Sequence, residues 1–108
     1  MYLIITRSFP PEIGGIQNLM WGLTNALSKH YMVKVFADYH EDHKDLDQNV
    51  SFSITRISGM KLLRKYRKAY LINELLKNNK NIKGIIADHW KSLELIKTKK
   101  QKICLIHS

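Results

Sequence analysis

The sequence predicts an α/β fold built on a doubly wound, mostly parallel sheet. Two observations predict it. Short apolar, β-branched runs alternate with segments of helical period in the order β-α-β-β-α-β-α-β. The first of these runs reads as a strand buried on both faces, as in a parallel sheet. Gly14-Gly15, Asp88-His89 and His107-Ser108 then fall at the carboxyl ends of predicted strands, the edge where such sheets bind ligands, which supports a site there. With 108 residues, 44% of them hydrophobic, the chain has room for one domain at most.

Tyr2 to Thr6 reads as a first strand buried on both faces. Pro10 and Pro11 cannot continue a ladder. Gly14 and Gly15 stand at the mouth of a helix whose apolar stripe is Ile16, Leu19, Met20, Leu23, Ala26 and Leu27. The free amides and positive dipole end of that helix favour an anion such as a phosphate. Met32 to Ala37 is a second strand, and the polar, acidic stretch from Asp38 to Gln48 reads as a loop. Val50 to Ile57 alternates imperfectly, as a strand near a sheet edge would. Met60 to Asn78 is the longest helical pattern, with Leu62, Leu63, Tyr66, Ala69, Tyr70, Asn73 and Leu76 at helical spacing. A buried strand over Lys83 to Ala87, a short helix over Lys91 to Lys97 and a fifth strand over Ile103 to Ile106 complete the series.

Phe-Pro-Pro-Glu-Ile-Gly-Gly-Ile-Gln over residues 9–17, with the Leu-x-x-x-Leu helix and the strand Val33-Lys34-Val35-Phe36, resembles the opening of a family 4 glycosyltransferase of the GT-B fold. The resemblance implies a Rossmann-like N-terminal half whose Gly14-Gly15 loop meets a donor phosphate or the acceptor. It also implies that Asp88 and His89 shape the acceptor pocket, with capping of the helix at Lys91 as the alternative for that pair, and that His107, followed by a small hydroxyl residue, lines the cleft near the transferred sugar as its catalytic residue. The implied activity is retaining transfer of a sugar from a nucleotide-sugar, a co-substrate rather than a cofactor, to a glycan or lipid-linked acceptor. No metal is required, because helix dipoles and basic groups can stabilise the leaving diphosphate. The sequence stops after its fifth strand. Residues 1–108 are therefore expected to form a partial, acceptor-side domain with an incomplete sheet and the donor-binding domain absent, inactive alone and prone to marginal stability or self-association.

The charge is one-sided. Residues 1–60 carry five basic and six acidic side chains, whereas residues 61–108 carry thirteen and three, for a net +9 overall. A basic half-chain suits a polyanion or a solvated surface. Lys61, Arg64, Lys65, Arg67 and Lys68, interleaved with Leu and Tyr, suit an anionic membrane surface better than nucleic acid, given lipid-linked acceptors. The alternative function is a non-catalytic basic module for anionic membrane or nucleic acid. Cys104 is the only cysteine, which excludes an intrachain disulfide and fits a reducing, cytoplasmic setting. Its apolar surroundings predict a buried, inert thiol. Glu12, Gln17 and Arg7 are further polar candidates near the glycine loop. His40-Glu41-Asp42-His43 has superficial metal-ligand spacing but no second ligand pair. A dinucleotide-binding oxidoreductase is disfavoured, because no Gly-x-Gly-x-x-Gly follows the first strand.

Overall fold

Residues 1–7, 9–79, 81–98 and 101–106 are described by the computed structural model. Tyr2–Ile5 (β1) lies at the centre of the sheet, with Val33–Asp38 (β2) on one side and Gly84–Ala87 (β4) on the other. Ser53–Ile57 (β3) extends the sheet beyond β2, and Lys102–Leu105 (β5) extends it beyond β4, giving the order β3-β2-β1-β4-β5 with every pair parallel. Ile4 stands in register with Val35 on one side and Ile86 on the other. β4 is buried along its whole length, as its unbroken Gly-Ile-Ile-Ala run anticipates for a strand covered on both faces.

The sheet is covered on both faces, so the fold is doubly wound. On one face, Gly15–Ser28 (α1) packs Met20, with Trp21, Leu23 and Leu27, against Ile4, Val33, Val35 and Ile86. On the other, Lys61–Asn78 (α3) packs Ile72, Leu75 and Leu76 against Leu3, Ile5, Phe36 and Ile85. A short helix, His43–Gln48 (α2), lies between β2 and β3.

Several expectations are corrected. The stretch after β2 is not all loop. α2 has no buried residue and no apolar stripe, so periodicity could not reveal it. It is held instead by Arg56, whose Nε and Nη2 donate to the two Asp47 carboxylate oxygens at 3.1 and 2.9 Å. β3 begins at Ser53 rather than Val50. The segment after β4 makes only a 3-10 turn, Trp90–Leu93. Cys104 is exposed, because β5 is an edge strand.

α1 turns most of its expected stripe inward, with Ile16, Met20, Leu23 and Leu27 on the core, whereas α3 is rotated from its expected face. In α1 the buried residues are Gln17, Met20 and Thr24, while Leu19 is exposed. Thr24 satisfies its hydroxyl by donating to the Met20 carbonyl at 2.7 Å. In α3 the buried residues are Lys68, Ala69 and Ile72, and Leu62, Tyr66 and Tyr70 face solvent. Those three lie two residues out of step with Lys68 and Ile72, hence across the helix.

Gly59 sets the entry to α3. Its φ of +105° lies in the left-handed region, and a Cβ there would come within 2.8 Å of Arg67 Nη1. Arg64 Nε donates to the Gly59 carbonyl at 2.8 Å and Arg67 Nη1 to the Ser58 carbonyl at 3.0 Å.

The Lys68 ammonium is a charge buried in this core, and it needs partners there. It donates to Asp38 Oδ1 at 2.6 Å and to the Thr6 carbonyl at 3.0 Å. Lys68→Met keeps most of the stem volume but strands both acceptors. Because the Asp38 side chain is 22% exposed, the expected cost is about 2–4 kcal/mol, below the roughly 3–5 kcal/mol for breaking a fully buried pair. The check is a lower urea midpoint at unchanged slope.

Candidate functional site

The chain leaves β1 toward β2 on one side, and β4 later joins on the other. The crevice beyond the carboxyl ends of β1 and β4 is therefore the topological switch point, where open α/β sheets bind ligands. β1 delivers Thr6 and Arg7 there, β2 delivers Asp38, and β4 delivers Asp88 and His89.

Asp88 is buried, and its carboxylate joins three segments. Oδ2 accepts from the Thr6 hydroxyl and from the Arg7 backbone amide, each at 3.0 Å, and Oδ1 accepts from the Ser92 hydroxyl at 3.0 Å. With both oxygens engaged, Asp88 fixes the exits of β1 and β4 relative to the 3-10 turn. His89 caps that turn: its Nδ1 accepts from the Lys91 amide at 3.1 Å. In the neutral ring the proton then sits on Nε2, which becomes a hydrogen-bond donor for a ligand oxygen.

Arg56 was not among the sequence candidates, yet it organises the opposite wall. Its side chain is only 5% exposed. Besides gripping Asp47, Nη2 donates to the Pro10 carbonyl at 2.6 Å, Nη1 to the Asp38 carbonyl at 3.3 Å, and the guanidinium carbon lies 5.7 Å from the Phe9 ring centroid. The proline loop is thus tied to the end of β2 by one arginine.

A cleft of about 570 Å³ results, lined by Arg7, Glu12, Ile16, Asp38, Tyr39, Lys61, Arg64, Asp88 and His89. A narrower hollow of about 230 Å³ shares Arg7, Asp38, Lys61 and Arg64 with it and continues to Lys65, Lys68 and Lys91. Gly14 and Gly15 lie along the chain between the lining residues Glu12 and Ile16. Ile16 in the first turn of α1 thus lines the same cleft as Asp88 and His89, while Gly14 and Gly15 are not themselves among its lining residues. The two glycines differ. A Cβ on Gly14 would run into the buried Gln17 carboxamide, whereas a Cβ on Gly15 would meet nothing within 4 Å.

The five basic residues of α3 do not share one face, which corrects the expectation of a single membrane-facing cluster. Lys61, Arg64 and Lys65 line the hollow. Lys68, though it reaches the same hollow, is buried in its ion pair with Asp38. Arg67 turns away, toward a groove beside β3 lined by Tyr66, Tyr70 and Leu71. His107 lies outside the described residues. His40 and His43 spend their Nδ1 atoms locally, on the Asp42 amide and on Asp47 respectively. No group of three or more His, Cys, Asp or Glu side chains among the described residues could hold a metal ion. No helix among them is long and apolar enough to cross a membrane.

No protein-family model matches the chain, and no curated protein matches it.

Asp88 and His89 are adjacent but should behave differently. Asp88→Ala leaves the Thr6 hydroxyl and the Arg7 amide without their acceptor and is expected to cost about 2–4 kcal/mol. His89→Ala, which loses one cap at a half-buried position, is expected to cost under about 1 kcal/mol. Thermal denaturation of the two variants reads the contrast.

Proposed function

We propose that residues 1–108 are the acceptor-side portion of a family 4-type, GT-B glycosyltransferase that moves a sugar, with retention, from a nucleotide-sugar to a hydroxyl of a glycan or lipid-linked acceptor. The observation that carries this reading is the shared cleft. Glu12 of the proline–glycine loop and Ile16 of the first turn of α1 line the same space as Asp88 and His89.

The start of α1 has no side-chain cap and no acidic residue in its first turn. Its amides and the dipole's positive end are therefore open to an anion. In the reaction the bond from the anomeric carbon to the donor phosphate oxygen breaks with its electron pair going to that oxygen, the acceptor oxygen bonds to the carbon, and the acceptor hydroxyl's proton passes to the departing phosphate oxygen. Charge accumulates on the departing diphosphate. Fixed amides near Gly15 stabilise that charge without reorganising, which is the largest kind of contribution such a site makes. The open approach to Gly15 allows the closeness this needs. His89, donating from Nε2, suits a sugar or acceptor hydroxyl, and by resemblance His107 belongs beside the transferred sugar.

The same reading puts the protein at the cytoplasmic membrane surface, with no nucleic-acid partner. What supports this is the exposed stripe of α3, where Leu62 is 80% and Tyr70 67% exposed, beside the exposed cations Lys61 and Arg67. These features equally suit a binding module without catalysis.

Gly15→Ala separates ligand binding from folding. Alanine in the first turn meets no neighbour and should raise helix stability by about 0.5–1 kcal/mol. Amide chemical shifts on adding UDP-glucose or GDP-mannose should move for residues 12–16 and 88–89 in the parent chain and not in the variant. Shifts confined to other regions, or an equal response from the variant, refute the proposal.

A further inference from the structure

We propose that the narrower hollow between α3 and the 3-10 turn is a binding site for a phosphate group, and that the acceptor of the reaction carries this phosphate. The second half of that statement rests on the transferase reading. The first half does not.

Six cationic side chains from three elements converge on the hollow: Arg7 after β1, Lys61, Arg64, Lys65 and Lys68 on α3, and Lys91 on the 3-10 turn. Among the described lining residues Asp38 is the only carboxylate. It is already engaged by Lys68 at 2.6 Å, with Arg64 Nη1 at 3.7 Å. Lys65 pairs with Glu94. Arg7, Lys61 and Lys91 have no carboxylate partner among the described residues, and Lys91 only lies over the Trp90 ring at 5.8 Å. Three cations are left facing one cavity of about 230 Å³, a volume that admits a tetrahedral anion.

The position of these charges is unfavourable for the helix itself. The first turn of α3 contains no acidic residue, carries Lys61 and Arg64, and has no side-chain cap. Cations there oppose the dipole. A bound phosphate would relieve that repulsion and accept charge-assisted hydrogen bonds from the guanidinium and ammonium groups.

The charge changes character along the cleft. The wider part adds Glu12, Tyr39, Asp88 and His89 to the cationic end. A ligand with an anionic end and a hydroxyl-bearing end would lie with its phosphate beside Arg7, Lys61 and Lys91 and its hydroxyls toward Glu12 and His89. A phosphorylated sugar and a lipid whose headgroup contains phosphate share this chemistry.

The test titrates the chain with glycerol 3-phosphate, and separately with vesicles of phosphatidylcholine alone or containing phosphatidylglycerol. Backbone amide shifts at residues 7, 61, 62 and 91 report the site. Arg7→Gln and Lys61→Gln should each weaken binding by about tenfold, the equivalent of one charge-assisted contact. Lys29→Gln, on an exposed residue at the far end of α1, should leave it unchanged. Binding to glycerol 3-phosphate assigns a soluble phosphate ester. Binding only to phosphatidylglycerol vesicles, with the same dependence on Arg7 and Lys61, assigns a lipid headgroup. Absence of binding in both arms, or an equal loss in all three variants, overturns the site. That failure is distinct from failure of the transferase reading, which is read at residues 12–16 with nucleotide-sugars.

Discussion

The carboxyl edge of the sheet depends on a buried polar knot around Thr6. Its carbonyl accepts from the Lys68 ammonium, and its hydroxyl donates to Asp88. Lys68 also pairs with Asp38, and Asp88 also holds Arg7 and Ser92. One residue thus joins the ends of β1, β2 and β4 to α3 and to the 3-10 turn. Each buried charge here has a hydrogen-bonded partner, and no side-chain polar atom buried among the described residues lacks one. In low dielectric such a network stands or falls as a unit, because one missing member strands the rest.

This knot also sorts the charges of the cleft. Asp38 and Asp88 are consumed in holding strands together, which leaves Arg7, Lys61 on the first turn of α3 and Lys91 on the 3-10 turn without matching carboxylates among the described residues. The one-sided positive charge of residues 61–108 is therefore not spread evenly over a surface. Part of it is concentrated where strand ends, a helix N-terminus and a cavity meet, the arrangement in which low-dielectric walls strengthen the field felt by an anion. Arg56 performs the matching task on the other wall. By gripping Asp47, the Pro10 carbonyl and the Asp38 carbonyl, it holds the proline loop against the end of β2 and so fixes the direction from which α1 begins.

The order of strands and helices was legible because β1, β2 and β4 are short apolar runs, β3 alternates imperfectly, and each long helix has helical spacing. The carboxyl-edge location of Gly14, Gly15, Asp88 and His89 followed from that order alone. The inward face of α1 was legible in outline, through Ile16, Met20, Leu23 and Leu27, but that of α3 was not. In α3 a leucine–tyrosine stripe competes with Ala69 and Ile72, and the contest is decided by Lys68, whose partners lie 30 and 62 residues away. In α1 the buried Gln17 and Thr24 look like solvent-facing residues until the neighbours of the helix are known. α2 escaped notice because an ion pair rather than an apolar stripe holds it.

By itself the sequence determined the alternating architecture, the glycine-led entry to α1 and the charge asymmetry, since all three depend on local composition and period. Only the tertiary structure decided which cations meet, which are neutralised and which remain facing a cavity. Those outcomes depend on contacts between residues far apart in the chain, and the sheet order β3-β2-β1-β4-β5 is what brings them together.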